Sequence, residues 1–294
     1  ATRQLMAEGA TPPSGARLTP VRPKSVGVDD VDAGEIEIPA GRHRIGVDRH
    51  DAPWAFDNEL AAHEREVAAF AIDRTPVTNG RFEQFIEADG YRRDELWSEA
   101  GRRWRDEAGL VAPQFWGRDG STRTVIRFGR TVELDRREPV QHVCWYEAEA
   151  FAAWAGKRLP TEFEWEVAAS VTPDGDKRRH PWGDAGAGEL PANLGQLEDG
   201  PRPVGSNPAG RSPWGCDDML GDVWEWTASD FAPYPGFAAF PYREYSEVFW
   251  GDGLKVLRGG SWAVDPVAVS TTFRNWDLPI RRQIFAGFRC ARTL

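Results

Sequence analysis

"VCWYEAEAFAAWAGKRLPTEFEWEVAAS", residues 143–170, is the stretch of the chain whose local structure reads most directly. Its apolar spacing predicts a helix over about 145–155, closed by Gly156, since glycine enters the left-handed region without a Cβ clash. A second helix starts behind Thr161. Its hydroxyl can accept from the amide three residues on, while Glu164 reaches back to the Thr161 amide, a reciprocal capping box. The intervening KRLP leaves room only for a tight turn.

Upstream, "FAIDRTPVTNGRFEQFIEADGY" (70–91) reads as a strand, a turn and a helix capped near Thr78, with Phe82, Phe85 and Ile86 on one face. "GEIEIPAGRHRIGV" (34–47) alternates as a strand does. Residues 10–35 are rich in Pro, Gly and charge and read as a linker, and residues 2–9, "TRQLMAEG", read as the last turn of a helix ending at Gly9. Downstream of 171, Gly, Pro, Asn and Asp recur every few residues, and only short strands such as "KVLRGGSW" (255–262) and "FAGFRCAR" (285–292) are expected. No fixed-period repeat is visible. The expectation is one loop-rich α+β domain over 36–294, preceded by the end of a helical domain over 1–9.

Composition narrows the function. The chain has 294 residues, 40% of them apolar, enough for one large core or two small ones, and a formal charge of −10 that argues against a nucleic-acid partner. No apolar run has the roughly 18 residues of a membrane span, and no signal-peptide core is visible, so a cytoplasmic protein is expected. Three cysteines, Cys144, Cys216 and Cys290, are too scattered for a disulfide framework and read as buried thiols. Fourteen tryptophans among thirty glycines suit a core pinned by large rings between flexible turns. The first methionine is Met6, behind Ala1, which suggests a trimmed or partial sequence.

In order along 36–294, "PVTNGRFEQFI", "PVQHVCWYEAEAFAAWAGKRLPTEFEWEVAA", "PWG", "MLGDVWEWTASDF", "LRGGSW" and "AGFRCAR" resemble the formylglycine-generating-enzyme family. The resemblance implies a loop-rich α+β fold with C-type-lectin-like features. It also implies two copper-binding cysteines shortly after the GGSW segment, where this chain has Val264 and Val269. Valine has no donor atom, so copper-dependent formylglycine synthesis is disfavoured.

A closer resemblance is to the C-terminal domain of ergothioneine-biosynthesis sulfoxide synthases, carried by "FDNELAAHEREVAAFAIDRTPVTN", "EAGLVAPQFW", "FPYREYSEVFWG" and "TFRNWDLPIRRQIFAGFRCAR". It implies a non-haem iron oxygenase that uses O2 to join hercynine to γ-glutamylcysteine or cysteine. In that family an N-terminal helical domain holds Fe(II) through histidines, two of them in an HxxxHxE helix. The five histidines here, His43, His50, His63, His142 and His180, contain no such pairing. The chain is therefore expected to be the thiol-binding half of such an enzyme, with the iron-binding domain in cis or on a separate chain. A non-catalytic lectin-like module is the rival reading.

The candidate site follows. An Asp beside a Trp, with an Arg four positions on across a proline turn, can present a carboxylate and a guanidinium fork to one small zwitterion, or can simply brace a loop. By resemblance, Asp277 and Arg281 hold the thiol donor with Trp276 flanking. The remaining arginines, Arg274, Arg282, Arg289 and Arg292, are expected to pair with acidic neighbours or face solvent. By resemblance too, Tyr242 is the catalytic proton donor, with Tyr245 as the alternative. "DDMLGDVWEWT" offers Asp218 and Glu225 with the carbonyls of Gly221 and Val223, an all-oxygen set suited to Ca2+ that resembles a calcium site of the parent family. His142 and Cys144 read as packing residues.

Overall fold

The computed structural model describes residues 34–294 apart from Pro53, 184–189 and Asp252. The helix end expected over 1–9 and nearly all of the expected linker lie outside these residues. Among the described residues the first strand begins at Glu35.

The alternating stretch after Gly34 is not one strand. Pro39, which has no amide to donate, splits it into β1 (Glu35–Ile38) and β2 (Gly41–Ile45), and the two halves join different sheets. β3 (His63–Val67) pairs with β2, and β4 (Phe70–Asp73) pairs with β1, both antiparallel. Thr78 caps α1 (Asn79–Glu87) by accepting from the Arg81 amide, and Phe82 and Phe85 on its inner face are buried. A helix, α2 (Glu99–Ala108), and a meander of β5 (Trp116–Asp119), β6 (Thr122–Arg127) and β7 (Arg130–Glu133) follow, none of which the sequence pattern announced.

The two central helices form as expected. α3 (Trp145–Trp154) ends before Gly156, whose φ is +69°, and α4 (Glu162–Ser170) has its Thr161–Glu164 capping box in place. The last third supplies β8 (Trp224–Asp230), β9 (Lys255–Arg258), β10 (Asn275–Asp277), β11 (Ala286–Gly287) and β12 (Ala291–Thr293). Four of these form a sheet in the order β10-β9-β8-β11, while β12 closes on β4 in the sheet of β1. Gly287 is needed where β11 passes the chain at Val140, because an added Cβ would stand 2.1 Å from the Val140 carbonyl oxygen. Among the described residues no helix is long and apolar enough to cross a membrane.

Two large apolar clusters form the core. Phe82 stacks on Phe151 at 5.5 Å and Phe151 meets Phe288 edge-on at 5.3 Å in one. Trp165 of α4, with Phe70, Ile72 and Met219, centres the other. All three cysteines are buried and free.

What separates this core from an ordinary apolar one is a set of fully buried arginines: Arg258, Arg274 and Arg289 all have 0% exposure. Each has a carboxylate. Arg289 grips Glu225 bidentately at 2.7 and 2.8 Å, Arg274 grips Glu162 at 2.7 and 2.9 Å, and Arg258 reaches Glu166. Burial alone would raise the Glu166 pKa, but Lys177 and Arg258 together hold it at about 2. Glu162 and Glu166 lie one turn apart on α4, so a helix rich in carboxylates is buried because the facing arginines neutralise it.

Removing one member of such a pair leaves an uncompensated buried charge. We expect Arg289→Ala to lower unfolding free energy by about 3–5 kcal/mol in urea titrations, and Arg289→Met with Glu225→Gln to recover part of that loss. A surface-like loss below about 1 kcal/mol for the single variant would contradict the assigned role.

Candidate active site

β10 carries Trp276 and Asp277 at the edge of the four-stranded sheet, with Trp276 opposite Val256 and Asp277 opposite Lys255 on β9. After it the chain turns, the Arg281 amide donating to the Leu278 carbonyl at 2.9 Å. That turn brings the Arg281 guanidinium back to Asp277, where Nε donates to Oδ1 at 3.1 Å, and the Leu278 amide donates to the same oxygen at 2.8 Å. The pair is open to solvent, with side-chain exposures of 44% for Arg281 and 26% for Asp277. Burial raises the Asp277 pKa, and the Leu278 amide and Arg281 only partly offset it.

Trp276, the preceding residue of β10, is held rigidly by other rings. Its ring stacks on Phe231 at 4.1 Å and 10°, and the edge of Tyr245 meets it at 5.7 Å. Tyr245 in turn stacks on Phe56 at 4.7 Å, with Tyr242 edge-on at 6.4 Å. Burial and then the Glu59 and Asp57 carboxylates push the Tyr245 phenol well above its ordinary pKa, so it stays neutral. Tyr242 is 55% exposed and Tyr245 half-buried, which leaves Tyr242 as the more accessible phenol. The chain thus brings Tyr242, Tyr245 and Trp276 into one aromatic run, with the Asp277–Arg281 pair following at the end of the same strand.

The other arginines of the C-terminal stretch are braces, as their sequence context suggests. Besides Arg274 and Arg289, Arg282 clamps Glu147 at 2.8 and 2.9 Å and Arg292 binds Glu35 at 2.7 Å. His142 is fully buried, and burial lowers its pKa to about 3, so it is a neutral packing residue whose Nδ1 faces the Arg282 carbonyl at 3.1 Å. Cys144 sits at the N-cap of α3, where burial pushes its thiol well above the ordinary value. Val269 is buried and Val264 half-buried against both core clusters, so these positions present only hydrocarbon.

The expected calcium set does not come together. Both Glu225 oxygens accept from Arg289, and one also accepts from the Trp165 indole at 3.0 Å, so this carboxylate already has its cation. Asp218 stands instead near Asp222, a residue the sequence reading passed over, in a small cavity shared with Asn193 and Arg202. Burial raises Asp218 to about 6. Burial and then Asp218 raise Asp222 to about 7, although the Arg202 amide and the Asn193 side chain both donate to it at 2.7 Å. The sequence reading also missed Asp57 and Ser246, two buried polar residues beneath the tyrosine loop. Their only sequence signal was a place inside the quoted FDNE and FPYREYS segments.

Comparison with known proteins identifies the family and the fold. Residues 24–294 match the sulfatase-modifying factor enzyme 1-like domain. The chain is 53% identical over 248 residues to the hercynine oxygenase of Mycobacterium tuberculosis, covering 84% of this chain and 58% of that protein. It is 32% identical over 295 residues to the formylglycine-generating enzyme of Streptomyces coelicolor, covering 88% of each. The solved structure of PvdO from Pseudomonas aeruginosa has the same fold, with a TM-score of 0.63 at 23% identity over 88% of this chain and 94% of that one. This chain thus spans less than two thirds of the mycobacterial relative.

Asp222 gives a pH test. A carboxyl raised from 3.8 to about 7 binds its proton more tightly in the folded state. Its contribution to stability is full below about pH 4 and is lost as pH rises through about 7. In chelator-treated protein, the melting temperature should therefore fall more steeply from pH 5 to pH 8 for the parent than for Asp222→Asn. Parallel calorimetric curves would exclude this role.

Proposed function

The chain belongs to the sulfatase-modifying factor enzyme 1-like family, and on that premise we propose that it is the thiol-binding half of an oxygenase of ergothioneine biosynthesis. In this reading hercynine and a cysteine-derived thiol, most simply γ-glutamylcysteine, are joined at the expense of O2. The observation that supports it is an open Asp277–Arg281 pair on the strand whose Trp276 ring leads through Tyr245 to the Tyr242 phenol. The overall chemistry balances: an imidazole C–H and a thiol S–H combine with O2 to give a C–S(=O) linkage and water. Oxygen takes four electrons, two from C–S bond formation and two from oxidation of sulfur.

Among the described residues no group of His, Cys, Asp and Glu could hold a metal ion. The reading assigns Fe(II), whose part is to activate O2, to an N-terminal helical domain in cis or on a separate chain. It assigns no calcium to Asp218, Gly221, Val223 and Glu225, because Glu225 is committed to Arg289.

This chain binds and protonates. Asp277 and Arg281 neutralise one another in the free site, so an incoming zwitterion exchanges partners rather than burying new charge. Its carboxylate takes the Arg281 fork and its ammonium takes Asp277. Trp276 fixes the orientation of the donor, and the Tyr242 hydroxyl supplies the proton that steers the oxidised sulfur towards sulfoxide.

Two substitutions test the roles in the enzyme completed by its histidine-bearing domain. Asp277→Asn should weaken binding of the thiol donor by about 1.5–3 kcal/mol, with hercynine affinity unchanged in calorimetric titration. Equal losses for both substrates, together with a lower melting temperature, would make Asp277 a structural brace. Tyr242→Phe keeps the ring and removes only the proton. It should still bind both substrates and consume O2, with sulfoxide formation slowed about 10²–10⁴-fold and thiol oxidation to a sulfinate taking over. Wild-type sulfoxide rate and product ratio would remove Tyr242 from the mechanism.

A further inference from the structure

Beneath the tyrosine loop lies a buried carboxylate that the chemistry above does not use. Asp57 has 0% exposure, in the short 3-10 turn Asp57–Glu59. Its partners are neutral donors from one distant segment. The Ser246 hydroxyl donates to Oδ1 at 2.6 Å and the Phe240 amide donates to Oδ2 at 3.2 Å. The Asn58 side-chain amide donates to the same Ser246 hydroxyl at 3.1 Å, and Ser246 is itself fully buried. Phe56, the residue before the turn, stacks on Tyr245. The turn does not float: Arg274, locked to Glu162, donates to the Asn58 carbonyl at 2.8 Å.

The chain between Phe240 and Ser246 is therefore an arch with both feet pinned to one carboxylate. Tyr242 stands on its exposed span, 55% accessible while the foot at Ser246 is sealed. We propose that Asp57 is the positioning residue for Tyr242, fixing through Ser246 and the Phe240 amide where the phenol stands relative to Trp276 and Asp277. The proposal rests on the function assigned to Tyr242 and extends it from the phenol to the clasp that aims it. A carboxylate suits the task. It accepts two donors at once with a fixed angle between them. Misplacement of a reacting group by about 1 Å is enough to cost about 10²-fold in rate, so a loosened arch has a measurable effect without any lost contact to substrate.

The test compares Asp57→Ala, Ser246→Ala, Asp57→Asn and Tyr242→Phe in the enzyme completed by its histidine-bearing domain, reading the ratio of sulfoxide to sulfinate, KM for the thiol donor, and melting temperature. Asp57→Ala and Ser246→Ala should shift the ratio by about 10²-fold towards sulfinate, in the direction of Tyr242→Phe, with KM for the thiol retained. Asp57→Asn should restore the ratio, since its amide can accept from the Phe240 N–H and donate to the Ser246 oxygen. Adding Asp57→Ala to Tyr242→Phe should shift it no further. An unchanged ratio in Asp57→Ala and Ser246→Ala, including one where turnover falls in step with melting temperature, overturns the proposal. Should Asp57→Ala fail to fold, Ser246→Ala, which leaves the carboxylate in place, decides alone. If Tyr242→Phe itself leaves the ratio unchanged, the functional reading falls and this proposal with it. If Tyr242→Phe shifts the ratio and the clasp variants do not, only the clasp is wrong.

Discussion

The buried arginine forks are the constraint on which the rest of the structure depends. A fold with short strands and long irregular connections has many backbone carbonyls that no ladder or helix satisfies, and each is costly to bury unpaired. A guanidinium carries five donors in a plane and can serve a carboxylate and several carbonyls together. Arg289 binds Glu225 and also the carbonyls of Asp73, Arg74 and Asp217; Arg258 reaches those of Thr271 and Thr272; Arg274 reaches those of Asn58 and Ala232. Each arginine thus joins a buried carboxylate to backbone carbonyls of other segments. The acidic face of α4 completes the arrangement from the other side.

The same ion-pair chemistry acquires different meaning from its surroundings. Arg289 and Glu225 are sealed, and their oxygens and N–H groups are saturated by protein. Asp277 and Arg281 have the same charges at the edge of the sheet, with one direct contact and open solvent around them. A saturated pair resists exchange and braces the fold. An unsaturated pair can trade its internal partner for a ligand of the same charges, which is the property the proposed function draws on.

Rigidity reaches the candidate site from the core in a few steps. Glu162 on α4 fixes Arg274, Arg274 fixes the Asn58 carbonyl, and the turn at 57–59 holds the loop bearing Tyr242 and Tyr245. β10 begins at the residue after Arg274, so the strand carrying Trp276 and Asp277 is anchored by the same guanidinium. The aromatic wall of Phe231, Trp276, Tyr245 and Phe56 adds contact area without flexible side chains.

Local chemistry was legible in the sequence wherever a residue's role depends on near neighbours. The Thr161–Glu164 capping box, the Gly156 stop, the cap at Thr78 and the Asp277–Arg281 approach across a proline turn all span four residues or fewer. Family motifs carried the fold class and the list of candidate side chains. What the sequence left open was decided by contacts between distant segments. Pro39 separates two strands into different sheets, Glu162 and Glu166 turn inward because arginines about a hundred residues later meet them, and Glu225 is withheld from a cation by Arg289. Asp57 and Ser246, 189 positions apart, carry no pattern that marks them as partners. Spacing along a chain encodes hydrogen bonds within a turn, but burial and saturation of a charged group belong to the assembled core, and only the tertiary structure decides them.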